Sequence, residues 1–328
     1  MTPRPDEHRR PAEAAGAAGD QPPRGPALVT GASSGLGWAY ADSLAARGHP
    51  LIVVARREER LRALARRARE LHGVEARPVV ADLATEEGLT ACRRALDEGP
   101  PPDAVVLNAG FGTHGPLWEL DRAREAEMVR LNCVAVVDLA AHALPRMVRR
   151  GAGALVVVSS AAAWQPVPFM ATYAATKAFG LHFAEAVAEE LRGTGVRAVA
   201  VCPGPTRTEF TMSTGSERTL RWTIPHDDVD LVVRATWRAL AAGRRRAPTG
   251  WVARGSMLAG RLVPRGLVLR ASAIAHRASA QQRSHERQVA VDPADGPQGG
   301  VDGERRPLQE RVGGHDARDV DPDRPGPG

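Results

Sequence analysis

The chain has 328 residues, with 44 basic and 38 acidic side chains, a formal net charge of +6 and three cysteines. The cysteines are odd in number, far apart and set in apolar runs, which argues against a disulfide framework and leaves no metal site to propose. Because acidic residues are interleaved with the basic ones, the net charge indicates a solvated arginine-rich surface and no nucleic-acid partner. No run of eighteen apolar residues and no apolar N-terminal segment is present, so we expect a cytoplasmic protein with no transmembrane segment.

The composition divides the chain into a globular middle and two polar ends. Residues 1–25 are rich in Pro, Ala, Gly and Arg, and residues 281–328 have hardly any aliphatic side chains. Neither end can bury enough apolar surface to offset the entropy of ordering, so both are predicted to be disordered tails. Residues 26–250 suit one α/β domain, and residues 251–280 form a basic amphipathic extension.

Short apolar runs alternate with amphipathic stretches through the globular middle. The runs are β-branched and nearly unalternated, which is typical of strands covered on both faces; they occupy residues 27–30, 51–55, 78–81, 104–107, 154–158 and 196–201. Helical patterns lie between them, such as 61–71 before Gly73 and 227–242 before Gly243. This alternation predicts a doubly wound parallel sheet, with a ligand outside the carboxyl ends of the strands.

A glycine-rich loop follows the first predicted strand and precedes a predicted helix. Glycines allow a tight turn and a close backbone approach to phosphate, and the helix N-terminus adds free N–H groups. The loop therefore predicts a dinucleotide site that includes Gly31, Ser33, Ser34, Gly35, Leu36 and Gly37.

The end of the second strand bears on the choice of dinucleotide. An NAD site wants an acidic side chain about 20 residues beyond the glycines. This sequence has Arg56 and Arg57 there. Two guanidinium groups favour the 2′-phosphate of NADP, although two solvated arginines in an arginine-rich chain would leave NAD as the cofactor.

The strongest signal is Tyr173 followed four residues later by Lys177, which is the one lysine of the chain. The spacing puts both side chains on one helix face. An adjacent ammonium favours the phenolate, so Lys177 is expected to lower the pKa of Tyr173 and make it a usable general acid and base. An ordinary surface pair is the alternative interpretation.

Together these motifs resemble the short-chain dehydrogenase/reductase family. The resemblance rests on the TGxxxGxG loop of Thr30–Gly37, on Asn108-Ala109-Gly110 and on the Tyr173/Lys177 pair, and it points to the simple oxidoreductase branch. It implies a Rossmann-like single domain that moves a hydride between a nicotinamide cofactor and a small carbonyl or alcohol substrate. A homodimer or homotetramer is also expected.

The resemblance also implies a catalytic set. Tyr173 would exchange a proton with the substrate oxygen, and Lys177 would lower its pKa and hold the nicotinamide ribose. Ser160 would hydrogen-bond the substrate carbonyl, with the adjacent Ser159 as the alternative, and Asn132 would hold a water in a proton relay.

Further positions are implied to contact the cofactor. Asp82 and Leu83 would touch the adenine, and the other positions follow later strands: Asn108, Ala109, Gly110, Pro203, Gly204, Thr206 and Thr208.

Two segments leave the prediction open. Residues 210–225 lie where the family places a mobile substrate loop, and an apolar pocket is predicted from Trp164, Phe169, Met212 and Trp222, each of which could equally be a core residue. The extension could lie on an anionic membrane, cover the substrate site, pack on a partner subunit or dock on its own domain.

The sequence as a whole predicts an NADP(H)-dependent oxidoreductase acting on an apolar ketone, aldehyde or secondary alcohol. The alternative is a catalytically silent NAD(P)-binding sensor or scaffold of the same fold. The intact set of Ser160, Tyr173, Lys177 and Asn132 argues against that alternative, because a sensor does not need a phenol beside an ammonium.

Overall fold

A computed structural model of the chain describes residues 24–206 and 226–277. The predicted tails, apart from residues 24 and 25, and the whole of the predicted substrate loop therefore lie outside the described residues.

The described residues form one parallel sheet of seven strands in the order β3-β2-β1-β4-β5-β6-β7. The strands are β1 (Ala27–Thr30), β2 (Leu51–Ala55), β3 (Ala76–Val80), β4 (Ala104–Leu107), β5 (Gly153–Val158), β6 (Val196–Cys202) and β7 (Arg246–Pro248). The helices are α1 (Gly35–Ala45), α2 (Glu58–His72), α3 (Glu86–Asp97), α4 (Arg122–Val129), α5 (Ala135–Arg150), α6 (Ala171–Glu190), α7 (Val229–Ala241) and α8 (Gly250–Leu262). A further helix covers residues 265–277. The predicted doubly wound parallel sheet is confirmed.

Helices cover both faces of the sheet because alternate residues of each strand point to opposite sides. Leu28 of β1 packs in one hydrophobic cluster with α3, α5 and α6, and the next residue, Val29, packs in a second cluster with α1, α2 and α7. The strand order reverses at β1, which pairs with β2 on one side and β4 on the other. A ligand crevice is expected at this reversal, outside the carboxyl ends of the strands.

Two strands differ from the sequence prediction. β3 begins at Ala76, two residues early, and it is an edge strand whose Val80 is exposed, so it is not covered on both faces. β7 was not predicted, since its three residues are too few to show a periodic pattern. Pairing with β6 places it in the sheet.

The helical segment after β4 also departs from a simple helix. Residues Arg130–Val134 form a π-helical turn between α4 and α5, and Asn132 lies within it. The whole run Arg122–Arg150 is long and apolar enough to pass a length-and-composition test for a membrane span. Leu139 and Met147 are nevertheless buried in the core, as expected of a core helix.

Candidate active site

The glycine-rich loop makes a tight turn at the carboxyl end of β1. Gly31 has φ +66°, a conformation that favours glycine. A Cβ on Gly37 would collide with the carbonyl oxygen of Gly31, so the helix can approach the loop only without a side chain there. The N-cap Ser34 makes no side-chain hydrogen bond to α1, which leaves the first N–H groups of the helix for a ligand. This cradle fits a pyrophosphate.

Thr30 ties the glycine-rich loop to the strand beside it. Its hydroxyl oxygen accepts hydrogen bonds from the backbone N–H groups of Asn108 (2.9 Å) and Ala109 (3.0 Å), and the Asn108 side-chain amide donates to the Thr30 carbonyl at 3.0 Å. Asn108 and Ala109 are thus held beside the glycine-rich loop at the carboxyl end of β4, and their contact with a cofactor stays a prediction. The role of Thr30 was not assigned from the sequence.

The two arginines after β2 both lie at the predicted adenosine end. The Arg57 guanidinium donates to the Ser33 hydroxyl of the glycine-rich loop, at 3.1 Å from Nε and 3.0 Å from Nη2. Arg56 Nη1 lies 3.5 Å from an Asp82 carboxylate oxygen and 3.6 Å from Glu127 Oε1. Positive charge is therefore held beside the loop, and of the two arginines named from the sequence Arg57 is the one that contacts it.

The residues after β3 divide between site and core. Asp82 Oδ1 accepts a hydrogen bond from the Ala84 backbone N–H at 3.0 Å, which shapes the turn that leads to α3. The side chain of Leu83 is buried in the hydrophobic core. The adenine contacts predicted for Asp82 and Leu83 remain predictions.

Tyr173 and Ser160 meet at the carboxyl end of β5. Ser160 begins the short helical turn Ala161–Trp164, and its hydroxyl accepts a hydrogen bond from the Ala162 N–H at 3.2 Å. Tyr173, in the first turn of α6, is buried. Burial raises the pKa of the Tyr173 phenol to about 12, and a hydrogen bond with Ser160 opposes part of that rise.

Lys177 lies one helical turn beyond Tyr173 and is buried as well. Its ammonium donates to the Val158 carbonyl at 2.9 Å and lies 5.8 Å from the centre of the Tyr173 ring. Burial lowers the pKa of Lys177 to about 8. Burial and the Ser160 hydrogen bond account for the shift of the Tyr173 pKa, so the lowering expected from Lys177 stays a prediction.

Asn132 connects the loop after β4 to α6. Its amide nitrogen donates to the Phe111 carbonyl and to the Thr176 hydroxyl, both at 3.0 Å, and its Oδ1 accepts from the Phe111 N–H at 3.2 Å. A Cβ on Gly110 would come within 2.8 Å of Asn132 Oδ1 and 3.4 Å of Lys177 Nζ. The absence of a side chain at Gly110 therefore leaves room for both the asparagine and the lysine beside it, and the role of Asn132 toward a water stays a prediction.

The choice between the adjacent serines follows from their partners. Ser159 is buried and its hydroxyl donates to the Lys177 carbonyl at 2.6 Å. It holds α6 against β5, whereas Ser160 is the serine that bonds the Tyr173 phenol.

The segment after β6 is held by an aspartate that the sequence did not single out. The Asp227 carboxylate accepts hydrogen bonds from the Gly204 N–H at 3.1 Å and from the Thr249 hydroxyl at 3.0 Å. The Pro203 carbonyl accepts from the Ala161 N–H at 2.8 Å, so this segment borders the turn that carries Ser160. The Thr206 hydroxyl donates a hydrogen bond to the Gly204 carbonyl at 3.0 Å. Thr208 lies outside the described residues.

The predicted substrate pocket is described only in part. Trp164 is half-buried in the turn after Ser160, and its carbonyl lies against Gly260 of α8. Phe169 has φ +66° and stacks on His114 at 6.4 Å between ring centres. Met212 and Trp222 lie outside the described residues. Within residues 24–206 and 226–277, no three His, Cys, Asp or Glu side chains are grouped to hold a metal ion.

Known proteins share both the sequence pattern and the architecture. The family described as short chain dehydrogenase matches residues 26–219. A very-long-chain 3-oxoacyl-CoA reductase of Anas platyrhynchos is 33% identical over 182 residues, which are 54% of this chain and 58% of that protein. The chain thus matches little more than half the length of that curated relative.

Two solved structures extend the likeness over most of the described residues. A short-chain dehydrogenase from Sphingobium yanoikuyae in complex with NADPH is 34% identical, with TM-score 0.66, over 75% of this chain and 95% of that one. A bulky-bulky ketone specific alcohol dehydrogenase from Comamonas testosteroni is 32% identical, with TM-score 0.62, over 71% and 90%. Motifs, sheet order and relatives agree, and the chain belongs to the short-chain dehydrogenase family.

Proposed function

We propose that the protein is an NADP(H)-dependent oxidoreductase that interconverts a carbonyl and an alcohol, with Tyr173 as the proton donor and acceptor. The observation that carries the proposal is the cluster at the carboxyl edge of the sheet. There the Tyr173 phenol bonds Ser160, and the Lys177 ammonium lies one turn away, held by the Val158 carbonyl at 2.9 Å. A structural role alone does not require a phenol, a hydroxyl and an ammonium at one ligand crevice.

The residues of the crevice fit a nicotinamide dinucleotide. The glycine-rich loop and the N-terminus of α1 would hold the pyrophosphate, and the segment Pro203–Thr206 borders the nicotinamide end. When bound, this group would supply or accept the hydride. The protein supplies the position of the substrate and the proton.

The protonation states favour proton donation at neutral pH. A phenol with its pKa raised to about 12 is almost wholly protonated near pH 7, so Tyr173 can give its proton to a carbonyl oxygen that gains negative charge. Ser160, bonded to the same phenol, can donate to that oxygen as well. For alcohol oxidation the phenolate must form first, so the reverse reaction is expected to speed up as the pH rises.

Two finer points concern the cofactor and the substrate. NADP is favoured over NAD because Arg57 contacts Ser33 of the loop and Arg56 lies beside it, which gives a 2′-phosphate two guanidinium partners. The Trp164 ring packs on the hydrophobic core and lies 5.8 Å from the Arg246 guanidinium, so the proposal of an apolar carbonyl substrate rests on the relatives. The printed names of two relatives, a bulky-ketone alcohol dehydrogenase and a 3-oxoacyl-CoA reductase, agree with such a substrate.

A carbonyl screen tests the proposal. Purified protein is mixed with NADPH or NADH and a panel of ketones and aldehydes, and loss of reduced cofactor is followed for the wild type and Tyr173→Phe. Turnover with NADPH that Tyr173→Phe abolishes, while NADPH still binds, supports the proposal. Tight NADPH binding with no turnover of any carbonyl would contradict it and favour a sensor.

A further inference from the structure

The end of the described chain differs in charge from the rest of the protein. Residues 250–277, here called the terminal helical pair, comprise α8 and the helix 265–277. They contain five arginines and no acidic residue, whereas the chain as a whole has 44 basic and 38 acidic residues. In this stretch, unlike the rest of the chain, acidic residues are not interleaved with the basic ones.

The first helix of the pair turns apolar side chains toward solvent. Trp251, Leu258 and Leu262 are spaced by seven and four residues, which puts them on one face of α8. All three are exposed, Leu262 by 78%. Ala253, on the opposite face, is fully buried. The inner face of α8 therefore packs on the domain, and the apolar stripe on its outer face remains exposed to solvent.

The second helix repeats the arrangement. Leu267 and Ile274 are seven residues apart, and Ile274 is 77% exposed. Arg270 and Arg277 follow them by three residues each and are also exposed. The inner face holds the buried Ser272 and His276, whose ring lies 6.0 Å from that of His114.

The charge of this surface selects among the partners that could cover it. In an isologous contact between two copies the arginines of one patch would face those of the other, which opposes association. A nucleic acid is not favoured as the partner either, because its charged phosphate backbone would not bury the exposed leucine and isoleucine side chains. Arginines beside a stripe of Trp, Leu and Ile are what a helix lying in the headgroup region of an anionic bilayer presents.

We propose that the terminal helical pair docks the protein on an anionic lipid surface. The apolar stripe of Trp251, Leu258, Leu262, Leu267 and Ile274 enters the boundary between headgroups and acyl chains, and the arginines bind the lipid phosphates. The pair lies in the interface and does not span the bilayer, since α8 has 13 residues.

Docking there would bring the membrane next to the candidate active site. Gly260 packs on the Trp164 carbonyl, in the turn that begins at Ser160, and His276 packs on His114, which stacks on Phe169. The same two helices thus form the lipid-facing surface and part of the wall beside the catalytic cluster. An apolar substrate dissolved in the membrane would have a short path to it.

Vesicle flotation with the purified full chain tests this inference. Vesicles of phosphatidylcholine alone are compared with vesicles that also contain phosphatidylglycerol. The protein is expected to float with the anionic vesicles, to bind neutral ones much less, and to lose binding as salt is added. A protein that stays in solution with both kinds of vesicle would overturn the inference.

Two variants separate the apolar and the charged contributions. Leu258→Ser with Leu262→Ser should weaken anionic-vesicle binding by about tenfold or more, and Arg270→Gln by about fivefold. The matched controls lie on α2: Leu71→Ser, at an exposed leucine, and Arg66→Gln, at an exposed arginine, should leave binding unchanged. Circular dichroism and NADPH affinity should match the wild type in all four proteins.

Two outcomes would overturn the assignment even if some binding is seen. Controls on α2 that weaken binding as much as the test variants would show a non-specific effect of charge and hydrophobicity. A change from dimer to monomer in the double leucine variant, with vesicle binding intact, would show that the patch is an interface between copies.

Discussion

Two parts of the candidate site differ in their contact with water. The residues of the catalytic cluster are nearly closed off from water, with Tyr173 7% and Lys177 8% exposed, whereas the Arg56 side chain is 59% exposed. In the cluster, desolvation dominates: it raises the pKa of Tyr173 to about 12 and lowers the pKa of Lys177 to about 8. At Arg56 and Arg57, here called the arginine rim, water screens each charge, so each single ion pair contributes little binding free energy. Substitutions should therefore act strongly in the cluster and weakly at the rim.

The largest effect is expected from Tyr173→Phe, which removes the proton donor and keeps the ring. The rate of carbonyl reduction should fall by about 10²- to 10⁴-fold, while the dissociation constant for NADPH stays near that of the wild type. Steady-state kinetics and fluorescence titration measure the two. Tyr40→Phe is the matched control, because the other tyrosine of the chain is buried and its hydroxyl bonds Thr236 of α7.

The next largest effect is expected from Ser160→Ala. Loss of a donor to the substrate oxygen should lower the rate by about 10²- to 10³-fold. Since the Ser160 hydrogen bond lowers the pKa of Tyr173, its removal should also move the rise of alcohol oxidation with pH toward higher pH. The pH profile of the variant checks this shift. An unshifted profile would mean that the hydroxyl does not act on the phenol.

Lys177→Met should show that burying the Lys177 charge lowers the free energy of unfolding. Burial lowers the pKa of Lys177 to about 8 and so disfavours the charged side chain in the native state, whereas an apolar Met gives up only a bond to the Val158 carbonyl worth about 1 kcal/mol. The free energy of unfolding of the cofactor-free protein should rise by about 1–2 kcal/mol, while activity is lost. Urea unfolding gives the first quantity and the carbonyl assay the second.

The same lysine sets a pH dependence of stability. Between about pH 8 and the unfolded lysine pKa of about 10.4, the unfolded chain binds more protons than the native protein. The contribution of Lys177 therefore makes the wild type more stable as the pH rises through that window. Lys177→Met should lack the contribution, and a difference between the two proteins that does not change with pH would contradict it.

The smallest effects are expected at the rim. Arg57→Ala or Arg56→Ala should weaken NADPH binding by about fivefold each and leave NADH binding almost unchanged, with the loss shrinking at high salt. Arg66→Ala, on the exposed face of α2, is the control. Equal losses for NADPH and NADH in Arg57→Ala would contradict recognition of the 2′-phosphate.

The sequence predicted what depends on periodicity and on motif spacing. Six of the seven strands and the Tyr173/Lys177 pair were found in this way, because apolar runs and fixed spacings are visible in a linear sequence. Ser160 was named only through the family resemblance. The rise of the Tyr173 pKa was not predicted, since burial depends on tertiary packing. Asp227 and Thr30 were missed for a related reason: each acts through hydrogen bonds to residues more than 20 positions away.

A pH titration of tyrosine absorbance tests the central claim, that burial keeps the Tyr173 phenol protonated as a donor. The chain has two tyrosines, and burial raises the pKa of Tyr40 as well. The difference between wild type and Tyr173→Phe should therefore show no phenolate up to the ordinary phenol pKa of about 10 in the cofactor-free protein. A Tyr173-dependent phenolate signal near neutral pH would contradict the account.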